Sequence, residues 1–250
     1  MTYALQTRSL VKKFGGFVAI NAVSLKVAAG ARHALIGPNG AGKTTLINLL
    51  TGFLTPTSGS VLLNGVDVTH SAQHQRVKWG LSRSFQINRL FPDMTVLESV
   101  TLAVCERRGL GARCWRPVGA QGAAIAEAAA LLDQLRLLDL AHRPTQGLAY
   151  GKQRLIEMAL ALAARPSVLL LDEPAAGVPT RESRELFETI AQLPRTVTIV
   201  LIEHDMDLVF RFADTLSVLV GGAILTEGTP AAIAADPRVK QVYLGDAVHG

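Results

Sequence analysis

Apolar and polar residues alternate with a period of two through YALQTRSL and again through FVAINAVSLKV, so the chain from Tyr3 to Val27 reads as short, half-buried strands. A turn at residues 28–30 (AAG) leads into ARHALIG, an apolar run of strand type that ends at Gly37. KTTLINLLTG then changes period and predicts a helix, with Gly52 as its C-cap. PTSGSVLLNGVDVT predicts a turn, a strand, an Asn-Gly hairpin turn and a second strand.

From about residue 95 to residue 146 the pattern is helical, through TVLESVTLAV and AAIAEAAALLDQLRLLDLA, with Leu131, Leu135 and Leu138 expected on one face. Alternation then resumes: a helix over RLIEMALALAA, a strand over SVLLLDEP, a helix over ESRELFETIAQL and a strand over TVTIVLIEH. A further helix and the hairpin TLSVLVGGAILTEG follow. Strand, loop, helix and strand in this order predict an α/β fold with a parallel sheet, antiparallel first strands and a helical insertion. There is no internal repeat, and only the Ala-rich stretch at 123–130 is of low complexity.

Composition narrows the class. Hydrophobic residues make up 49% and charged ones 18%, enough apolar surface for a sizeable core and too much for disorder. A formal charge of +5 fits an anionic ligand or the inner face of a membrane as well as a polyanion. The densest basic stretch, ERRGLGARCWR at 106–116, reads as a solvated loop. Cys105 and Cys114 are too few for a disulfide framework and have no metal-ligand spacing, which points to a reducing cytosol. MTYALQTRSLVKKF carries no apolar stretch of the secretory kind, and the longest apolar run, MALALAARPSVLLL, is cut by Arg165 and Pro166, so a soluble chain is expected.

The candidate chemistry gathers at strand ends. GPNGAGKTT at 37–45 matches G-x-x-x-x-G-K-[ST] between an expected strand and an expected helix, which is the context of a phosphate loop. Gly37, Gly40 and Gly42, with Asn39, Ala41 and Thr45 in the same loop, would let backbone N–H groups face phosphates, reinforced by the helix dipole. Lys43 is expected to reach the β- and γ-phosphates, and Thr44 to offer a hydroxyl to Mg²⁺. VLLLDEP at 168–174 puts Asp172 and Glu173 at the C-terminal end of a buried strand, where open α/β sheets bind ligands. Asp172 is the expected Mg²⁺ residue, and Glu173 the group that polarises an attacking water. His204, in LIEHDM, leaves the same sheet edge; a lone histidine is usually structural, but three strand ends meeting at one edge favour a role beside the γ-phosphate. LAYGKQR at 148–154 reads either as a plain helix entrance or as half of a nucleotide site.

The order of phosphate loop, helical insertion, LAYGKQR, LLLDEP and EHD resembles the ATP-binding subunits of ABC transporters over nearly the whole chain. LAYG, EPAAG, TGFLTPTSG, EHDMDLV and the tail EGTPAAIAADPRVKQVYLG resemble the branched-chain amino-acid uptake ATPases within that family. The resemblance implies a P-loop NTPase with a RecA-like parallel core, an N-terminal antiparallel β subdomain and an inserted helical subdomain. It implies one domain over 1–250, with the ATP-binding core and β subdomain at 1–92 and 160–250, and the helical subdomain with the signature at 93–159. Gln86, in RSFQ, matches the glutamine that touches Mg²⁺ and water and relays to the membrane subunit; its other reading is a surface turn residue. Phe14, in KKFGG, matches the aromatic that stacks on adenine; its other reading is a core aromatic. Ala149, Tyr150 and Gly151 match the signature that contacts the ATP of an opposite subunit.

The implied activity is ATP hydrolysis with Mg²⁺ that energises uptake of branched-chain amino acids or of related amides, urea or aromatic acids. The implied partners are a second ATPase subunit, identical or paralogous, integral membrane permeases and, indirectly, a periplasmic solute-binding protein, with no nucleic acid. The implied location is cytoplasmic, peripheral on the inner face of the cell membrane through the permeases. Four departures from the family pattern stand out: Ala149 removes the signature serine, Tyr150 replaces a signature glycine, Lys152 replaces the glutamine and faces either the site or solvent, and Pro179 replaces an aspartate after the acidic pair. Losing one neutral hydrogen bond at Ala149 costs on the order of 1 kcal/mol. Three rivals remain at this level: a GTPase switch, for which no N-K-x-D motif is present, a non-transport ABC ATPase, and a binding-only regulatory module.

Overall fold

The computed structural model describes residues 2–84, 90–110 and 121–246, with side chains up to residue 243. Gln86, Cys114 and most of the basic stretch at 106–116 lie outside the described residues. The chain divides into two compact units, one of Met1–Leu81, Ser167–Glu173 and Arg195–Gly250, the other of Ser82–Pro166 and Pro174–Pro194.

The first unit opens with strands β1 (Tyr3–Phe14), β2 (Phe17–Val23) and β3 (Lys26–Ala28), then β4 (Arg32–Ile36), helix α1 (Lys43–Thr51), and strands β5 (Ser58–Leu63) and β6 (Val66–Asp67). The alternation through FVAINAVSLKV is split between β2, which ends at Val23, and β3, which begins at Lys26. Thr7 bridges the split from β1: its hydroxyl donates to Val23 O at 2.8 Å and accepts from Leu25 N at 2.9 Å. The turn Asn64-Gly65 has φ +49 and +81, the backbone that a two-residue hairpin requires. All of these strands but β4 form an antiparallel sheet of order β2-β1-β5-β6, with β3 paired to β1.

Residues of β8 (Val168–Asp172), β9 (Thr198–Ile202), β10 (Thr215–Val220) and β11 (Ala223–Gly228) join β4 in a second sheet. β10, β4, β9 and β8 lie parallel in that order, and β11 adds an antiparallel edge. β4, β8 and β9 are buried at every position, as expected of parallel strands covered on both faces. The register sets Leu35 beside Ile202 and Ile202 beside Asp172, so the C-terminal ends that carry the expected chemistry run abreast. Leu46, Ile47, Leu49 and Leu50 of α1 enter one core with Leu35, Leu170, Val200 and Ile202 of the sheet.

Buried polar residues tie elements together. Arg76, on the short helix α2 (Gln73–Lys78), donates to Leu49 O at 2.7 Å, Leu50 O at 2.6 Å, Thr69 O at 2.8 Å and Ser71 O at 3.1 Å. It thereby satisfies carbonyls at the C-terminus of α1, where a cation is favoured. Gly52, the C-cap, stands at φ +78, and a Cβ there would lie 2.8 Å from Arg76 Nε. On the sheet, Ser217 of β10 donates to Glu227 of β11 at 2.7 Å. With that proton committed, His33 Nε2 of β4 donates to the Ser217 oxygen at 2.9 Å. Helices α7 (Met206–Phe212), α8 (Pro230–Ala235) and α9 (Pro237–Asp246) complete the unit.

A short strand, β7 (Leu81–Arg83), carries the chain from the first unit into the second. The second unit packs α3 (Val96–Arg107), α4 (Gly122–Gln134), α5 (Tyr150–Ala163) and α6 (Thr180–Ala191). Thr95 starts α3 with a capping box: its hydroxyl accepts from Glu98 N at 3.2 Å, and Glu98 accepts from Thr95 N at 2.8 Å. In α4 the buried stripe is Ala124, Ala128 and Leu132, spaced by four. The helix stops at Gln134 because Arg136 takes φ +56, which breaks the expected Leu131, Leu135 and Leu138 face. Leu135 and Leu137 are buried instead, and Leu138 is 46% exposed. Glu127 draws three helices together by pairing with Arg107, Arg108 and Arg165 at 2.7, 2.5 and 2.7 Å.

Candidate functional site

The loop between β4 and α1 is tight because Gly37 passes the β10–β11 hairpin: a Cβ there would run into the Leu219 carbonyl oxygen. The loop is pinned across this approach by Gly222 N donating to Ala41 O at 2.9 Å. Gly42 is the N-cap of α1 in a left-handed conformation, Thr44 is exposed in its first turn, and Asn39 and Gly40 are exposed at the loop's tip. Thr45 follows, half-buried. Lys43 Nζ bends back onto the loop, donating to Gly37 O at 2.5 Å and Pro38 O at 2.9 Å. Burial lowers the Lys43 pKa below the ordinary lysine value, and the charges of Glu173 and Asp172 oppose that shift. The ammonium, the two carboxylates and the glycine loop therefore form one electrostatic site within the first unit.

Asp172 ends β8 and is buried, whereas Glu173 is half-buried and stands at φ +47. Its N–H is fixed by Ile202 O at 2.9 Å, at the end of the neighbouring strand β9. A non-glycine residue held in this region stores on the order of 1 kcal/mol of backbone strain, of the kind found where a side chain must be aimed. His204 is 72% exposed on its side chain, with Nδ1 3.6 Å from the fully buried Glu203 carboxylate. Glu203 also accepts from His204 N at 3.1 Å, so this buried acid orients the residue beside it. Phe14 is exposed, not a core aromatic, and Lys12 Nζ lies 5.1 Å from its ring centre. The donors available to Mg²⁺, the Thr44 hydroxyl and the Asp172 carboxylate, are the hard oxygens this ion takes when phosphates supply the rest of its shell, so these residues fit it.

In the second unit, LAYGKQR is the start of α5. Ala149 is the N-cap and offers no side-chain acceptor. Tyr150 turns along its own helix: Arg154 NH2 donates to its hydroxyl at 2.6 Å, and the guanidinium stands 4.8 Å from the ring centre. Gly151 N donates to Glu182 Oε2 of α6 at 3.0 Å.

Residues 20–176 match the ABC transporter family. The chain belongs to that family. Residues 223–249, the tail that includes β11, match the branched-chain amino acid ATP-binding cassette transporter family. The chain is 41% identical over 250 residues to the high-affinity branched-chain amino acid transport ATP-binding protein LivG of Escherichia coli (strain K12), covering 97% of this chain and 98% of that protein. It is 40% identical over 252 residues to BraF, the protein of the same description from Pseudomonas aeruginosa, with coverages of 97% and 98%. A solved ATP-binding cassette of an ABC transporter in its ADP conformation superposes with a TM-score of 0.86 at 32% identity, covering 98% of this chain and 100% of that one.

The ABC fold thus brings the phosphate loop, Asp172, Glu173 and His204 to one sheet edge, in an α/β architecture with a parallel sheet, an antiparallel sheet and helices. Among the described residues, no helix is long and apolar enough to cross a membrane. Two acids beside the expected residues escape a reading of sequence alone. Glu203 is signalled only by its place between an apolar strand and a histidine, and Glu182 looks like an ordinary acid in the first turn of a helix.

Proposed function

We propose that the chain is the ATP-binding and ATP-hydrolysing subunit of an ABC importer for branched-chain amino acids or related amides, urea or aromatic acids. Near-full-length similarity to branched-chain amino acid transport ATP-binding proteins supports the solute class. The observation that carries the chemistry is that Asp172 and Glu173 leave the end of β8 at the sheet edge that carries the phosphate loop, where their charges act on Lys43.

In this reading the amides of residues 37–45 cradle the phosphates, and Lys43 leaves its own loop carbonyls for the β- and γ-phosphates. Thr44 and Asp172, with Gln86, hold Mg²⁺, which neutralises charge on the phosphates when bound. Glu173 orients the attacking water, His204 stands by the γ-phosphate on its Glu203 support, and Phe14 stacks on adenine. Each ATP is completed by Ala149, Tyr150 and Gly151 of a second ATPase subunit, in a head-to-tail pair that closes on ATP and reopens on hydrolysis. Gln86 and the helical unit engage a cytoplasmic helix of the permease, which keeps the subunit at the inner face of the membrane; a periplasmic solute-binding protein feeds the permease from the other side.

Glu173→Gln keeps the size of the side chain and removes the carboxylate. The variant is expected to bind ATP normally and to hydrolyse it at least ~100-fold more slowly in a phosphate-release assay. Turnover at the wild-type rate would remove Glu173 from this role, and an inert wild-type protein, with and without its permease, would favour a binding-only module.

A further inference from the structure

The first turn of α5 already holds an anion. Ala149 supplies no capping side chain, and the Glu182 carboxylate of α6 takes that place, 3.0 Å from Gly151 N. The fit requires glycine at 151: a Cβ there would lie 2.8 Å from Glu182 Oε2 and 3.1 Å from its Cβ. Glu182 also sits in the first turn of α6, so one carboxylate serves the N-terminal ends of two helices at once. Beside it opens a groove of about 610 Å³ whose lining includes Arg136, Lys152, Arg181 and Glu185.

We propose that Glu182 is a resident anion on the signature turn, holding Gly151 N–H in the unpaired subunit and yielding it to the terminal phosphate of an ATP carried by a second copy of this chain. The inference rests on the reading of α5 as half of an ATP site. A phosphate oxygen bonded to Gly151 N–H must stand where Glu182 Oε2 stands, and two anions cannot share that distance without repulsion. The displaced carboxylate is not stranded. It keeps the favourable end of the α6 dipole and has Lys152, Arg181 and Arg136 along the groove. Glu182 is therefore a positioning residue that sets how much ATP is needed to close the pair. Its contact with Gly151 restrains closure.

The test uses the full chain carrying Glu173→Gln, so that bound ATP persists, and follows dimerisation by light scattering as MgATP is titrated. Adding Glu182→Gln, which keeps shape and removes charge, is expected to lower the ATP concentration at half-dimerisation roughly fivefold, the worth of about one hydrogen bond at the exchanged donor. Glu182→Asp keeps the charge in α6 but shortens the reach, and is expected to fall between, which also covers the case in which the Gln variant folds poorly. Glu185→Gln removes a charge from the same groove without touching Gly151 and is expected to leave the midpoint in place. A pure capping role predicts the opposite sign: a lower thermal midpoint and an unchanged or higher ATP requirement, and that result overturns the proposal. An equal shift from Glu185→Gln overturns it too, by assigning the effect to the groove's overall charge. A Glu173→Gln parent that stays monomeric at saturating MgATP overturns the two-copy reading and this inference together, whereas a parent that dimerises with the same midpoint with or without Glu182→Gln overturns the inference alone.

Discussion

At Glu173 the backbone takes φ +47 directly after the end of β8, where Asp172 is buried and Glu173 half-buried. Glycine relieves that strain and alanine does not. Both Glu173→Gly and Glu173→Ala should lose hydrolysis, but the glycine variant should be the more stable by about 1 kcal/mol in urea unfolding. Equal stabilities would mean that the left-handed conformation is not held in solution. The sequence motif identifies which residue is acidic here but not the backbone that aims it, because φ is set by the bond from Glu173 N to Ile202 O, made to another strand. Glu203 and Glu182 were illegible for a related reason: what distinguishes each is a hydrogen bond from a backbone N–H that only the folded chain aims, His204 N in one case and Gly151 N in the other.

Elements differ in how openly the chain declares them. The parallel strands are plain, since four-residue apolar runs such as VLLL and IVLI, β-branched or bounded by polar residues, are of strand length and too short for a helix. Helix α2, with six residues, and α8, with six, are too short to show a period, and the end of α4 is decided by the single φ of Arg136. A link that no periodicity reveals joins β4, β10 and β11 through His33, Ser217 and Glu227. Burial lowers the His33 pKa from 6.5, and the Glu227 charge opposes it only in part. The folded chain thus takes up this proton less readily than the unfolded chain, so the contribution is intact above the unfolded value and is lost as pH falls below it. The urea midpoint should therefore drop between about pH 7 and about pH 5.5, and His33→Gln should flatten that segment of the profile. A profile of the same slope in the variant would assign the acid sensitivity elsewhere.

For the whole molecule, membership of the ABC family was legible because its motifs are local strings at fixed order: GPNGAGKTT, LAYGKQR, LLLDEP and EHD. The division into units was harder to read, since the first unit is assembled from three separate stretches of chain and the second from two. The phosphate loop and the signature turn lie in different units, Gly37 to Thr45 in the first and Ala149 to Gly151 in the second. If each ATP is completed by a second copy, as proposed, hydrolysis per subunit should rise with protein concentration and level off once pairs predominate. A specific activity that is constant over roughly a hundredfold dilution, to well below the pair's dissociation constant, would mean that one copy suffices.

The contact between Gly52 and Arg76 bears on how such a chain can diverge. Any side chain at 52 presses on Arg76 Nε, and loss of Arg76 removes the side-chain donor to the carbonyls of Leu49, Leu50, Thr69 and Ser71. Neither position is free to drift while the other stays as it is. Descendants of this sequence should keep the glycine and the arginine together or exchange both, so two positions 24 residues apart in the chain would be inherited as one character.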